Sequence, residues 1–494
     1  VFHYEQSLSA PEELKKLHAS GFSEILEEKE GSKVYRPTLY DILAQRALDF
    51  FTNPQATLIQ VNDPIELNNE SLFESAEKFI NTATAKPGEL SFNYHALMLF
   101  KKLIGFHIND KTPLALIDVD LKRLAWVKEN ITLEKKDELY MRALEQLEKQ
   151  YYDSQAFPEI AYAIATELIR EGNTYNPFDN PEPRLKLKEA KIKLETAIRR
   201  FSDLPSTQNC INLNKQISEP VLNIQLEYVN LPGKPFKALV SHRNVKELYL
   251  RIIGIAPETD RELRQKYRNT KELIDQYLKI EPYFSWKHEL PDDDDMQMHN
   301  TEIPVQALPL GYYIVIGGFD ESYNNADYEL SFESFWISAL SFVSRTETDG
   351  SVRFLVLDRD NGKPLKNVTA TLWQERYNQS LRRYDIVKGP KYTTDTDGEF
   401  TIEADDSSGR TNRMAVELTL KNDRLMSDHY FYVQPYIEQK YTHTQTHFFT
   451  DRALYRPGQT IYFKGIMIDT DGKDHRLKTN FKTNVVLYDA NYQK

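Results

Sequence analysis

The chain has 494 residues, more than a single hydrophobic core can serve, so it should divide into roughly three or four domains. With 29 Tyr and 25 Phe beside ordinary Gly, Pro and charged content, it is neither a disordered nor a collagenous sequence. A net charge of -12 spread over this length favours solubility and argues against nucleic acid as the main partner, because phosphate binding needs clustered Lys and Arg.

From residue 9 to about 204 apolar residues recur at helical spacing. Leu39, Ile42, Leu43, Ala47 and Phe50 form one stripe, and Tyr140, Leu144, Leu147 and Tyr151 a second. Leu187, Ala190, Leu194, Ala197, Ile198 and Phe201 form a third. Ser9-Ala10-Pro11-Glu12 is a helix start signal, and Asp203-Leu204-Pro205 reads as a stop. Residues 157–170 and 184–201, separated by the Asn- and Pro-rich 173–183, read as an antiparallel helical hairpin similar to a tetratricopeptide unit. An all-α domain is therefore predicted over residues 1–204, separable from the rest of the chain.

After Pro205 the apolar period shortens to that of strands. Residues 221–229, 248–252 and 312–316 predict strands of a β-sandwich over residues 205–346. Within it, residues 258–280, with Leu263, Tyr267, Leu273, Ile274, Tyr277 and Leu278, predict a helical insertion. Thr348-Asp349-Gly350 marks the next expected boundary, and the strict alternation of residues 352–358 opens a second sandwich over 347–440. Its Asp360-Asn361-Gly362 and Asp397-Gly398 segments supply hairpin geometry. A last segment, residues 441–494, begins a further sandwich in which Phe448 and Phe449 end one strand. Pro457 then presets a turn, Gly458 takes the positive-φ position, and Ile461 and Phe463 share one face of the next strand.

The candidates for chemistry read as structure. Asp469-Thr470-Asp471-Gly472, Asp358-Arg359-Asp360-Asn361-Gly362 and Asp395-Thr396-Asp397-Gly398 carry calcium-friendly carboxylates, yet lack the bidentate Glu and flanking helices of a calcium loop, so hairpin turns are expected. The acidic run Asp292–Asp295 is expected to be a solvated loop. His443 and His447 stand four apart, but in a strand-like, β-branched stretch with no third ligand in view. Cys210, the single cysteine, excludes internal disulfides and is expected to be an inert thiol. No phosphate loop, nucleophile elbow or zinc-peptidase helix occurs, so no catalytic, cofactor-binding or metal residues are predicted and the chain is expected not to be an enzyme. No run of about 18 apolar residues occurs, which predicts no membrane-spanning helix. Val1 is not succeeded by the charged and apolar regions of a signal peptide, which leaves room for a signal or anchor having been removed.

Thr450-Asp451-Arg452, the run Leu454-Tyr455-Arg456-Pro457-Gly458-Gln459-Thr460 and the adjoining Ile461-Tyr462-Phe463-Lys464-Gly465 together resemble the opening of a macroglobulin domain in the alpha-2-macroglobulin family. Leu308-Pro309-Leu310-Gly311-Tyr312-Tyr313 resembles the turn and strand found late in such domains, and residues 352–372 with 394–400 resemble carboxypeptidase-regulatory-like and macroglobulin domains. In that family macroglobulin domains scaffold an exposed bait; a protease cleaves the bait, the scaffold rearranges, and many members attach covalently through a Cys-Gly-Glu-Gln thioester. That motif is absent here, and Cys210 is followed by Ile211-Asn212, so any bait or thioester is expected beyond Lys494. The helical part carries no motif of that family; together, periodicity and resemblance predict a multidomain α plus β chain, the helical domain followed by antiparallel macroglobulin-like β-sandwiches. The resemblance further implies the N-terminal scaffold of a bacterial endopeptidase inhibitor in the periplasm or cell envelope, with proteases as partners through the full-length protein and other cell-envelope proteins as a second class. The alternative from another class is a surface module that binds a protein or glycan without inhibiting anything.

Overall fold

The structure, a computed structural model, describes residues 2–22, 24–25, 32–53, 67–83, 91–291, 293–324, 326, 328–378, 382–404, 412–433, 443–452, 459–470 and 474–488. They belong to two units, Val1–Ile337 and Ser338–Lys494.

The first unit opens with helices α1 (Phe2–Ser7), α2 (Pro11–Leu14), α3 (Leu39–Phe51), α4 (Ala76–Ile80), α5 (Phe92–His107), α6 (Leu114–Asn130), α7 (Lys136–Gln150), α8 (Phe157–Gly172), α9 (Lys186–Arg200) and α10 (Thr207–Ser218). Helix α3 starts where its chemistry dictates. The Thr38 hydroxyl accepts from the Asp41 N–H at 3.3 Å, and the Asp41 carboxylate accepts from the Thr38 N–H at 2.9 Å, a reciprocal cap. The second and third stripes face one core that includes Leu48, Phe100, Leu103, Leu124, Leu144, Phe157, Ile164 and Leu194. On α3 the buried face is instead Tyr40, Ala44, Ala47, Leu48 and Phe51, so of the stripe expected there only Ala47 is buried: the helix is apolar on more than one side, and packing chose between them. Helices α8 and α9 are antiparallel neighbours: Phe157 and Phe201 meet at one end with ring centroids 5.8 Å apart. At the other end Gly172 lies so close to Leu187 that a Cβ there would sit 3.0 Å from its side chain.

The expected change of period at Pro205 falls later. Pro205 lies just ahead of α10, where its missing N–H leaves no helical bond unmade, and its carbonyl accepts from the Gln208 N–H at 3.2 Å. Cys210 and Ile217 of α10 are buried in the helical core. The helices end instead at Glu219, which is extended at φ -60 and ψ 132, as a residue before proline prefers. A helical fragment cut at residue 204 would therefore strip α10 from its core; one ending after Ser218 keeps it.

Beyond Pro220 come strands β1 (Val221–Gln225), β2 (Val229–Asn230), β3 (Phe236–Arg243), β4 (Glu247–Gly254), β5 (Phe284–Glu289), β6 (His299–Val305), β7 (Gly311–Gly318) and β8 (Ser331–Ile337). They form a three-stranded sheet in the order β1-β3-β6 and a five-stranded sheet in the order β2-β8-β7-β4-β5. Leu222, Ile224, Val240 and Ile303 from the first pack on Leu250, Ile252, Val315 and Phe335 from the second. The helical insertion is two helices, α11 (Pro257–Lys266) and α12 (Thr270–Leu278), whose Leu273, Ile274 and Tyr277 cover Ile253, Ile314 and Ile316 on the other face of the five-stranded sheet. That double cover explains why β7 reads as a continuous apolar run instead of alternating.

In the second unit, β9 (Leu340–Thr346) and β10 (Val352–Asp358) pair along their whole length, from Thr346 opposite Val352 to Leu340 opposite Asp358. Thr348-Asp349-Gly350 is thus the turn of a hairpin, with Gly350 at φ +87, and not the expected boundary, which lies between Ile337 and Ser338. The physical reason is that a hairpin turn and an interdomain linker draw on the same Gly, Asp and Thr chemistry. Next come β11 (Thr369–Asn378), β12 (Arg383–Thr393), β13 (Glu399–Ile402), β14 (Asn412–Leu420), β15 (Asp423–Met426) and β16 (Phe431–Val433). One sheet runs β13-β10-β9, another β12-β11-β14-β15 with β16 also on β14, and Phe354 stacks on Phe400 at 4.8 Å in the buried interior. The last sheet is β17 (His443–Thr450), β18 (Phe463–Thr470) and β19 (His475–Leu477), in that order. The boundary expected near residue 440 lies outside the described residues.

Gly398 gives a direct test of the turn chemistry. It sits at φ +78 in the loop before β13, and a Cβ there would lie 2.7 Å from the Val356 carbonyl oxygen. Gly398→Ala is expected to cost about 1–3 kcal/mol through backbone strain. Urea unfolding of the chain, followed through this unit, measures it; an unchanged midpoint would mean the loop takes another conformation.

Candidate functional site

A cluster of charged side chains lies where the helices adjoin the β1–β8 sandwich. The loop before β6 carries Asp293, Asp294 and Asp295, and Asp295 is buried, at 1% exposure. Its carboxylate accepts from Arg184 Nε at 2.8 Å and from the Gln297 N–H at 3.0 Å, and His299 Nε2 lies 2.8 Å from one of its oxygens. Arg184 also reaches Asp293 at 3.0 Å, and Lys188 of α9 pairs with Asp294 at 2.5 Å. The Gln297 side chain donates to the carbonyls of Gly172 and Arg184 at 3.1 and 3.2 Å. The acidic run was expected to be a solvated loop; Asp293 and Asp294 are exposed, whereas Asp295 is buried among its partners, and Asp292 lies outside the described residues. Burial pushes the Asp295 carboxyl up, but the hydrogen bonds from His299, Gln297 and Arg184 outweigh it and hold the group below the usual carboxylate range.

Asp293, Asp295 and His299 bring their ligand atoms within 4.8 Å, the one such grouping found among the described residues. Arg184 already faces both carboxylates, so their charge is met inside the protein and the arrangement is that of a salt-bridge node. A pocket of about 330 Å³ lies beside it, lined by α9, the β3–β4 turn and this loop.

Three further polar nodes are buried. Arg123 donates to Asp120 at 2.7 Å and to the carbonyls of Leu72 and Glu74, with its guanidinium 4.4 Å from the Phe79 ring centre. His107 has both ring nitrogens against carboxylates, Asp110 at 2.7 Å and Asp41 at 2.8 Å. Burial alone would lower its pKa, but Asp41 and then Asp110 raise it above the usual histidine value. Asp260 accepts from Tyr277, from Tyr312 at 2.8 Å and from Arg264 at 2.9 and 3.0 Å. None of the three nodes was legible in sequence, because each joins residues from different elements or depends on which helix face is covered.

Cys210 is fully buried with Sγ 3.3 Å from the Pro158 carbonyl oxygen, and burial, then Glu159, pushes the thiol up to about 12, so no thiolate forms near neutral pH. The Asp358 and Asp395 carboxylates are occupied by their own loops. Asp358 accepts from the N–H groups of Asp360 and Asn361 at 3.0 and 3.1 Å, and Asp395 from those of Asp397 and Glu399 at 2.9 and 2.8 Å. His443 and His447 lie on β17 opposite Thr470 and Ile466, and the grouping at ligand spacing does not include them. Asp469 pairs with Lys478 at 3.2 Å, whereas Asp471 and Gly472 lie outside the described residues, as does Gly458 with its predicted turn.

The strands on either side of residues 453–458 are described. Thr450 pairs with Phe463, the Asp451 N–H donates to the Tyr462 carbonyl at 3.1 Å, and the Tyr462 N–H returns to the Asp451 carboxylate at 3.1 Å. The aromatic residues Phe448, Phe449, Tyr462 and Phe463 are all more than half exposed. No described helix is long and apolar enough to cross a membrane.

No protein-family model matches the chain, and no curated protein does. Among solved structures it is similar to native alpha-2-macroglobulin from Escherichia coli spanning domains NIE-MG1, at 14% identity and a TM-score of 0.30, over 42% of this chain and 96% of that one. It is similar also to the MG0-NIE-MG1 portion of the same protein, at 13% identity and a TM-score of 0.30, over 42% of this chain and 64% of that one. The native conformation of E. coli alpha-2-macroglobulin is similar at 15% identity and a TM-score of 0.23, over 50% of this chain and 15% of that one.

Proposed function

We propose that this chain is scaffold from a bacterial alpha-2-macroglobulin-like endopeptidase inhibitor of the cell envelope, with no catalysis of its own. The observation that supports the reading is the pairing of β17 with β18, in which the flanks of the macroglobulin-like motif, Thr450-Asp451 and Tyr462-Phe463, lie opposite one another. Successive strand residues face opposite sides, so a covering sheet would bury one pair of the exposed aromatics, Phe448 with Phe463, whose ring centroids lie 5.7 Å apart. The polar nodes support a mechanical role as well. Their carboxylates are matched by arginine, histidine or tyrosine partners that fix elements to one another.

Under this reading the working protein sits in the periplasm or at the cell envelope and meets proteases through regions outside this chain. The test mixes the full-length protein, from the complete reading frame, with a broad-specificity endopeptidase. Digestion of a large protein substrate should fall while hydrolysis of a small fluorogenic peptide persists, as expected of an enclosed protease. This chain alone should hydrolyse neither substrate. Equal digestion of the large substrate with and without a molar excess of the full-length protein sinks the inhibitor reading. Peptidase activity of this chain that disappears on changing one of its residues sinks the scaffold reading.

A further inference from the structure

We propose that the Asp293–His299 segment is a latch that docks the helical bundle onto the β1–β8 sandwich through Arg184 and Lys188, and that mild acid opens it. The two layers keep separate hydrophobic cores, with only Met296 of this loop packed against the helical one. Docking therefore rests on polar contacts more than on shared apolar burial. The charged contacts are Arg184 with Asp293 and Asp295 and Lys188 with Asp294; the Gln297 amide adds two helix-side carbonyls, and Arg243 and Asn244 donate to the carbonyls of Gln216, Ile217 and Glu219 at the end of α10.

The acid-sensitive element is the histidine pair inside the joint. His242 of β3 is 2% exposed, and its ring centre lies 6.0 Å from that of His299. His299 faces two carboxylates, Asp295 at 2.8 Å and Asp293 at 3.6 Å. His242 faces the Thr301 hydroxyl at 3.1 Å, so a proton there meets no carboxylate at contact distance. The remaining charged groups around the pocket are Lys188, Lys191 and Glu195 of α9 and Lys246 of the β3–β4 turn, which add mostly positive charge. Burial, then the charge of His299, lowers the His242 pKa below its ordinary 6.5. Asp295 is also held below its ordinary 3.8. His242 lines the pocket that faces α9, so undocking admits water to it and a proton is bound more readily there than in the docked state. It therefore contributes to docking above its ordinary pKa and loses that contribution as pH falls through the lowered value, while Asp295 is tied to the helical layer through Arg184. His242 responds first, below 6.5, and Asp295 only in strong acid.

The experiment places a fluorophore pair at Glu145→Cys on α7 and Gln225→Cys on β1, both exposed positions, in the whole chain. Buried Cys210 does not compete for label. Energy transfer is followed from about pH 7.5 to about pH 5, the range over which histidines titrate. The expected result is loss of most of the transfer on acidification, reversed on return, with helical and strand circular dichroism unchanged. His242→Gln, which keeps a hydrogen-bonding side chain but takes no proton, should remain docked across the range. Arg184→Gln should lose transfer already at neutral pH; if that variant does not fold, Lys188→Gln should shift the transition towards neutral pH. Constant transfer in the parent chain overturns the proposal, as does an unaltered transition in His242→Gln. Retention of full transfer by a folded Arg184→Gln at neutral pH overturns the latch.

Discussion

Arg123→Leu should destabilise the chain by about 3–5 kcal/mol, the range for removing one partner of a buried ion pair. Arg123 and Asp120 are each 1% exposed, so the substitution leaves a carboxylate in the core with no cation. It also removes the donors to the Leu72 and Glu74 carbonyls, which tie the segment before α4 to α6, and the cation over Phe79. The urea midpoint of helical circular dichroism reports the loss. A second measurement separates the unpaired charge from simple misfit: Asp120→Leu combined with Arg123→Leu should recover part of the stability, because two apolar side chains leave no charge behind. A single variant within about 0.5 kcal/mol of the parent, the range of ordinary surface changes, would contradict a structural role for the pair.

Asp260→Ala should act locally. It removes the shared acceptor of Tyr277, Tyr312 and Arg264 between the insertion and the five-stranded sheet; buried Tyr277 is left without its partner, whereas Tyr312 keeps Ser334 and Arg264 reaches solvent. Burial first, and then Asp260, raises the pKa of both tyrosines, so their hydroxyls stay protonated and donate at every accessible pH. Losing the acceptor costs about 1–3 kcal/mol for each buried donor left without a partner. The expected signature is faster amide exchange across α11 and α12 and dye binding to the uncovered Ile253, Ile314 and Ile316, with α3 to α10 unaffected. Asp260→Asn, which retains acceptor capacity without the charge, should fall between the parent and Asp260→Ala. Uniform loss of protection across the first unit would mean that the insertion is not a separate layer.

Local pattern made much of this architecture legible. The stripe Leu187, Ala190, Leu194 and Ala197 gave a buried helix face, since helical spacing puts these residues on one side, whereas on α3 the packing buried Tyr40, Ala44, Leu48 and Phe51 in place of Leu39, Ile42 and Leu43. Residues 258–280 announced the insertion in the same way, and Asn-Gly and Asp-Gly steps announced their turns because only a few residue types tolerate positive φ. Local pattern was ambiguous where the same residues serve two purposes. Pro205 can stop a helix or begin one, and what decided it was the space that Cys210 and Ile217 fill in the helical core. Thr348-Asp349-Gly350 can link domains or turn a hairpin, and the pairing of β9 with β10 decided that.

The candidate site divides along the same line. Sequence by itself determined the order of helical and strand regions and the macroglobulin-like motif, all of which rest on neighbours along the chain. It also displayed the acidic run, but a run of carboxylates has the same appearance in solvent and in a joint. Only the tertiary structure decided that Asp295 is buried, because its partners Arg184 and His299 come from opposite sides of the helix–sandwich junction. The same holds for Asp260, Arg123 and His107: a charge can be buried only where the folded chain delivers a counter-charge or hydrogen-bond donors, and that delivery depends on packing between distant elements.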